Sequence, residues 1–188
     1  MIDVALIYVR QVLDHYLSAQ SGVQSGGVLL NGLSNSDSVR LEQNRNKVVV
    51  TLVNLEYESN RQFYGGQRRD GDTINRVNPA VFFNLDVLVS ANFDDYVESL
   101  KQLTWVVTFF QENLSLDRIN SPSLPEGLTA LKFEIENSPS SKTHELWTAL
   151  GIGYLPSVLY KIRHVSIQAG QVKGTSQTIR SVTGSVQP

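Results

Sequence analysis

A chain of 188 residues with 16 basic residues, 18 acidic residues and no cysteine is long enough for one domain, or one domain with an arm, and can bury about 70% of its unfolded surface without covalent staples. The missing thiols exclude disulfides, thiolate metal sites and cysteine nucleophiles, and the net charge of −2 offers no global pull toward nucleic acid or anionic lipid. No stretch approaches the ~20 apolar residues of a spanning helix, and the N-terminus, with Asp3 among apolar residues, lacks the pattern of a signal peptide.

Ile2, Ala5, Leu6, Val9, Val12, Leu13, Tyr16 and Leu17 recur at the three-and-four spacing of an amphipathic helix, with Asp3 placed to favour its first turn. The helix runs out in SAQSGVQSGG, followed by the short apolar patch VLLNGL and the polar SNSDS, none of which declares a regular element. From Lys47, KVVVTLVNLEYE is densely branched and predicts a central strand, with Val49, Thr51, Val53, Leu55 and Tyr57 on one face. The polar SNRQFYGGQRRDGDTINRVNP then reads as a long loop carrying Arg68 and Arg69 between glycines, and loops of that length are functional or disordered. Asp70 and Asp72 beside the arginines cancel their charge, which argues against a nucleic-acid patch.

In AVFFNLDVLVSANF, Val81, Phe83, Leu85, Val87, Val89, Ala91 and Phe93 alternate with Phe82, Asn84, Asp86, Leu88, Ser90 and Asn92. That period of two predicts a strand with one face in the core and one mostly wet, able to pair antiparallel with the first strand across the loop. Asp94 and Asp95 open a second helix, DDYVESLKQLTWVVTFFQEN, with Glu98 in position for a capping box. Tyr96, Leu100, Leu103, Val107 and Phe110 mark one face, while Val97, Trp105, Val106 and Phe109 spread the apolar surface around the cylinder. Such a helix is covered on more than one side, either by its own core or by a neighbouring subunit.

Beyond a turn with Pro122 and Pro125, LTALKFEIEN alternates as a half-exposed strand, and SSKTHELWTAL predicts a short helix capped by Ser140 or Ser141. The following LGIGYLPSVLYKIR contains Gly-x-Gly, the mark of some phosphate loops. A phosphate cradle requires strand, loop, then helix, so that the helix N-terminus meets the anion. Here a helix comes first, Gly151 stops it, Pro156 blocks its continuation and SVLYKIRHVSI predicts a strand. The polarity is wrong for nucleotide. The order of elements predicts an α+β fold, helices packed on a mixed or mostly antiparallel sheet, over residues 1–169. Residues 170–188, glycine-rich and without an aromatic side chain, predict a flexible or partner-ordered arm, extended enough to add a strand to a neighbour's sheet edge.

Catalytic patterns are missing. His15, His144 and His164 fall in three different elements, and Thr148 stands where a zinc helix beginning His144-Glu145 needs its second histidine. Asp94, Asp95 and Glu98 are explained by helix capping. Asn113-Leu114-Ser115 matches a glycosylation sequon and Pro122 to Pro125 a polyproline ligand, both of which short loops produce by chance. No cofactor and no metal is implied.

Taken together, MIDVALIYVRQVLDHYL, VVVTLVNLEYESNRQF, PAVFFNLDVLVSANF with YVESLKQLTWVVTFFQEN, and LWTALGIGYLPSVLYKIRHVSI resemble the cap proteins of extracellular contractile injection systems, phage-tail-like devices whose cap resembles a tail terminator. The resemblance spans residues 1–168 in order, and Leu52, Val53, Asn54, Glu56 and the run Leu150 to Lys161 carry most of it. It implies a tail-terminator-like fold and a non-enzymatic homo-hexameric ring on the ends of the tube and sheath. It also implies assembly in the bacterial cytoplasm before the particle is released or surface-attached, and no nucleic-acid or membrane partner. A C-terminal extension that contacts the sheath is implied as well. Interface residues are expected at Arg68 and Arg69 in the loop and at Ile179, Arg180 and Val182 in the arm. Two alternatives stay open from the residues themselves: a small protein-interaction module unrelated to tails, and a hydrolase built on Asp94, Asp95 or His144.

Overall fold

The structure, a computed structural model, describes residues 1–21, 26–33, 42–59, 66–70, 73–77, 80–167 and 172–177. Helix α1 (Ile2–Ser21) buries Ala5, Leu6, Tyr8, Val9, Leu13 and Leu17, the stripe its spacing predicts. The chain then makes β1 (Val28–Leu30), β2 (Lys47–Tyr57), β3 (Gly66–Asp70), β4 (Thr73–Val77) and β5 (Val81–Asn92). Helix α2 (Tyr96–Glu112), β6 (Ser115–Asp117), β7 (Ala130–Ile135), helix α3 (Ser140–Leu150), β8 (Ser157–Ile167) and β9 (Val172–Gln177) follow. Six strands form one sheet in the order β1-β2-β5-β8-β7-β6; β3, β4 and β9 form a second, smaller one. Only β1 against β2 is parallel, so the large sheet is mixed.

Both faces of the large sheet are covered. Val48 and Val50 of β2, Leu85, Val87 and Val89 of β5, and Tyr160, Ile162 and Val165 of β8 pack with α1 and α2. Phe110 knits that layer together, its ring 4.2 Å from Tyr160, 5.0 Å from Phe133 and 5.0 Å from Phe109. On the other face, Val49, Leu88 and Leu159 meet Trp147 of α3 and Leu33. This corrects the expectation that one face of β5 is mostly wet. Asn84, Asp86, Leu88 and Ser90 are all buried, because α3 and a layer of polar side chains cover that side.

The single face read along β2 is also corrected. A bulge opposes Leu52 to Val87 but Asn54 to Asp86, leaving Val53 as the extra residue, and a bulge reverses the facing of everything after it. Leu55 and Tyr57 therefore share the α1/α2 side with Val48, Val50 and Leu52, whereas Asn54 and Glu56 turn to the α3 side. The long loop is not structureless either. Within it β3 and β4 pair antiparallel, Asp70 opposite Thr73, so that the two residues Gly71-Asp72 join them, a pair that signals a tight hairpin in sequence. The segment set apart at residue 170 contributes β9, which pairs antiparallel with β4.

Local signals at the helix ends are partly met. Asp95 caps α2, accepting from the Val97 N–H at 2.9 Å, while Glu98 accepts from Gln102 instead of closing a capping box. Pro139, not a serine, holds the N-cap position of α3, with no side-chain hydrogen bond. Gly151 ends α3 at φ 70°, a left-handed cap that a glycine adopts without strain.

Asp14 fastens α1 to the sheet. Its buried carboxylate accepts from the N–H of Gly26 at 3.0 and 2.9 Å and of Val28 at 2.9 Å, setting where β1 begins. Asp14→Ala strands those two donors, so urea unfolding is expected to show a loss of about 2–3 kcal/mol with the denaturant slope unchanged.

Candidate interaction surface

Both aspartates that a hydrolase reading would need are engaged in the fold. Asp94 accepts from the Arg45 guanidinium at 3.0 and 3.1 Å and from the Asn46 amide at 3.2 Å. The Arg45 hydrogen bond, with Asn46 second, holds its carboxyl below the usual carboxylate range. Asp95 is spent on the α2 cap. His15 on α1 and His144 on α3 are exposed, and α1 and α3 pack on opposite faces of the sheet. His164 lies in β8. Among the described residues there is no group of three or more His, Asp or Glu side chains placed to hold a metal, and no helix long and apolar enough to cross a membrane. Asn113, from the sequon, is the C-terminal cap of α2, its amide donating to the Phe109 carbonyl at 2.9 Å.

Helix α2 buries Ser99, Gln102, Val106, Phe109 and Phe110. Its broad apolar surface is therefore not all interior: Tyr96 is 63% exposed, Val97 58% and Leu100 42%. Farther along, Val107, Phe110, Gln111 and Leu114 join Phe133, Ile135 and Tyr160 around an apolar groove of about 270 Å³, whose rim residues Leu114 and Ile135 are exposed. Tyr96, Leu100 and Val107 are four and seven residues apart, so they share one side of the helix, and Leu114, just past its C-cap, continues the apolar surface at the groove.

On the α3 side of the sheet, past the end of that helix, lies a ladder of charges. The Lys161 ammonium, only 14% exposed, sits 2.8 Å from Glu56, 3.6 Å from Asp86 and 3.8 Å from Glu136. Asp86 is buried; one of its oxygens accepts from the Asn54 amide at 3.0 Å, and the other has no hydrogen-bond donor and relies on Lys161 for its compensating charge. Arg163 continues the row, 2.6 Å from Glu134 and 3.9 Å from Glu58. The β2 bulge builds this ladder, since it turns Asn54 and Glu56 toward Asp86 and Asn84.

Of the expected interface residues, Arg68 and Arg69 take consecutive positions in β3, opposite Asn75 and Ile74 of β4. Ile179, Arg180 and Val182 lie outside the described residues. Tyr96, Leu100 and Val107 were readable as one face of α2 from their spacing, although Phe110, read on the same face, is buried. The charge ladder was not, because it depends on which strands become neighbours.

The family model for the Pvc16 N-terminal domain matches residues 8–181. The chain belongs to that family. Among solved structures, this Pvc16 N-terminal domain is similar to the PVC sheath/tube terminator, in its extended state, of an extracellular contractile injection system. That likeness has a TM-score of 0.58 at 13% identity and covers 97% of this chain and 63% of that one. It is similar also to the tube-terminating cap of the anti-feeding prophage, with a TM-score of 0.60 at 12% identity, covering 97% of this chain and 62% of that one. The domain thus has the tail-terminator-like α+β fold expected of it and spans less than two thirds of each of those proteins. No curated protein matches it.

In this Pvc16 N-terminal domain the ladder has a measurable signature. Lys161→Met leaves Asp86 buried without its cation and is expected to cost about 3 kcal/mol of stability by urea unfolding. Glu136, held below the usual carboxylate range first by its Lys142 hydrogen bond at 3.0 Å and then by nearby charges, stabilises the fold above its unfolded pKa and ceases to do so as pH falls through its folded value. Lys142→Met should flatten the acid side of the stability–pH curve below about pH 5. The change at neutral pH should stay under about 1 kcal/mol, the lysine being half exposed.

Proposed function

We propose that this domain is a non-enzymatic structural cap, a subunit of a six-fold ring that closes the distal end of the inner tube and outer sheath of a contractile injection particle. The ring stops tube growth and holds the end of the extended sheath. It is assembled in the bacterial cytoplasm and then carried on the particle, with tube and sheath proteins as its partners and neither nucleic acid nor membrane. What carries the reading is the family match over residues 8–181 joined to a fold shared with two proteins that terminate such tubes.

The surface supports it. An apolar stripe from Tyr96 to Leu114, open in the single chain, suits burial against another protein. The charge ladder ties β2, β5, β7 and β8 together on the α3 side, which suits a sheet that has to resist tension. Arg68 and Arg69 in β3, with Ile179, Arg180 and Val182 beyond β9, are read as contact residues in that assembly.

Two measurements test the reading. The native mass of the purified domain, alone and with assembled tube and sheath, together with electron microscopy of particle ends, should show six copies at the capped end. A monomer or dimer that ignores those ends would overturn it. Leu100→Glu, placed on the exposed stripe, should leave the thermal midpoint unchanged while lowering end occupancy by at least about tenfold, the equivalent of one lost hot-spot side chain.

A further inference from the structure

β2 is only half sheltered. Strand β1 pairs with Val48, Val49 and Val50 and goes no further, so among the described residues nothing pairs with the outer edge of β2 from Leu52 to Tyr57. The polarity of that edge follows from one bond: Glu58 donates its N–H to the Phe82 carbonyl at 2.9 Å, toward β5. Backbone groups alternate in direction along an antiparallel strand, so Leu55 and Tyr57 present their N–H and C=O outward.

The side chains flanking this edge differ sharply between its two faces. On the α1/α2 side, Leu52, Leu55 and Tyr57 are 37%, 42% and 56% exposed, and Leu30 of β1 continues the apolar strip. On the α3 side stand Glu56 and Glu58, with Asp86, Glu134 and Glu136 behind them against Lys161 and Arg163. Natural sheets seldom leave a long edge with apolar side chains unprotected, because it is a template for another strand. A complementary strand has an apolar residue next to a cationic one, since consecutive side chains take opposite faces.

Residues 168–188 carry Lys173 and Arg180 and no acidic residue. Beyond Gln177 the sequence reads TIRSVTGSVQP, in which Ile179 directly precedes Arg180. One antiparallel register sets Ile179 over Tyr57, Ser181 over Leu55 and Thr183 over Leu52, which places Arg180 over Glu56 and next to Glu58. Residues 178–188 reach at most about 36 Å from Gln177, enough to cross to an adjoining molecule.

We infer that the free edge of β2 receives residues 178–188 of a second copy of this chain, added as an extended strand. The inference deepens the ring reading by naming the contact that joins neighbouring subunits. Backbone hydrogen bonds provide the affinity, and the Ile179–Arg180 pair provides the register. Residue by residue, the strand would seal the only long edge of the large sheet that combines apolar exposure with acidic charge among the described residues.

The chain has no cysteine, so engineered pairs report cleanly. Full-length Leu55→Cys is mixed under mild oxidant with separate chains carrying Ile179→Cys, Ser181→Cys or Thr183→Cys. A disulfide-linked heterodimer with at least one partner is the expected result. Arg180→Glu in the partner should lower its yield about fivefold, the effect of one rim charge turned repulsive, and Leu55→Pro, which deletes an outward N–H without touching the β5 ladder, should prevent strand addition in a parallel pull-down. Three results would overturn the inference: no cross-link with any partner, a cross-link only within one chain carrying both cysteines, or a cross-link to sheath protein in place of a second copy. Particle ends are scored separately. Caps that form without the cross-link remove the strand and leave the cap reading, whereas a cross-link on chains that ignore particle ends does the reverse.

Discussion

Everything in this domain depends on burying both faces of β2, β5 and β8 at once. Val48, Val49 and Val50 are each essentially inaccessible although they point to alternate sides, and each such side chain contributes roughly 1.5–3 kcal/mol through burial. A sheet wet on one face would need only α1 and α2. Covering the second face requires α3, whose Trp147 and neighbours seat on Val49, Leu88 and Leu159, and that requirement decides why a helix must intervene between β7 and β8. Gly151 makes the return possible by ending α3 in a conformation that admits no ordinary side chain cheaply.

The cover on the second face is shorter than the strands. Where α3 stops, the sheet continues, and the residues there are Asn54, Glu56, Asn84, Asp86, Lys161 and Arg163 in place of leucines. Buried charge is tolerated only when compensated, which is why a single lysine stands among three carboxylates. The β2 bulge is the device that joins the two regimes, turning apolar residues to one side and polar ones to the other within a single strand. Its by-product is an edge apolar above and acidic below.

Three exposed apolar features suit the proposed role in an assembly. The outward stripe of α2, the groove beside β7 and the edge of β2 each leave apolar area in water that a solitary domain would tend to cover. A protein that ends a tube has to meet copies of itself and the tube at the same time, so more than one such surface is the natural outcome of the proposed role.

Much of the fold was legible in local pattern. Helical spacing in α1, alternation in β5, the glycine stop of α3 and the branched run of β8 all report what a short window of chain prefers, and the structure has them where the pattern predicts. The β3–β4 hairpin was not legible as strands because polar strands carry no hydrophobic period, though Gly71-Asp72 was a usable turn signal. The capping role of Asp95 was readable; that Pro139 rather than a serine precedes α3 was not, because cap position depends on how the entering strand approaches. The sequence by itself determined the three long or glycine-stopped helices, the apolar strands β2, β5, β7 and β8, and the absence of thiol chemistry, since those follow from side-chain period and composition. Only tertiary structure decided that Asp86 is buried, that Leu55 and Tyr57 change sides and that, among the described residues, no strand pairs with the outer edge of β2 past Val50. These depend on register and on which strands become neighbours, and a one-residue bulge is enough to reverse them.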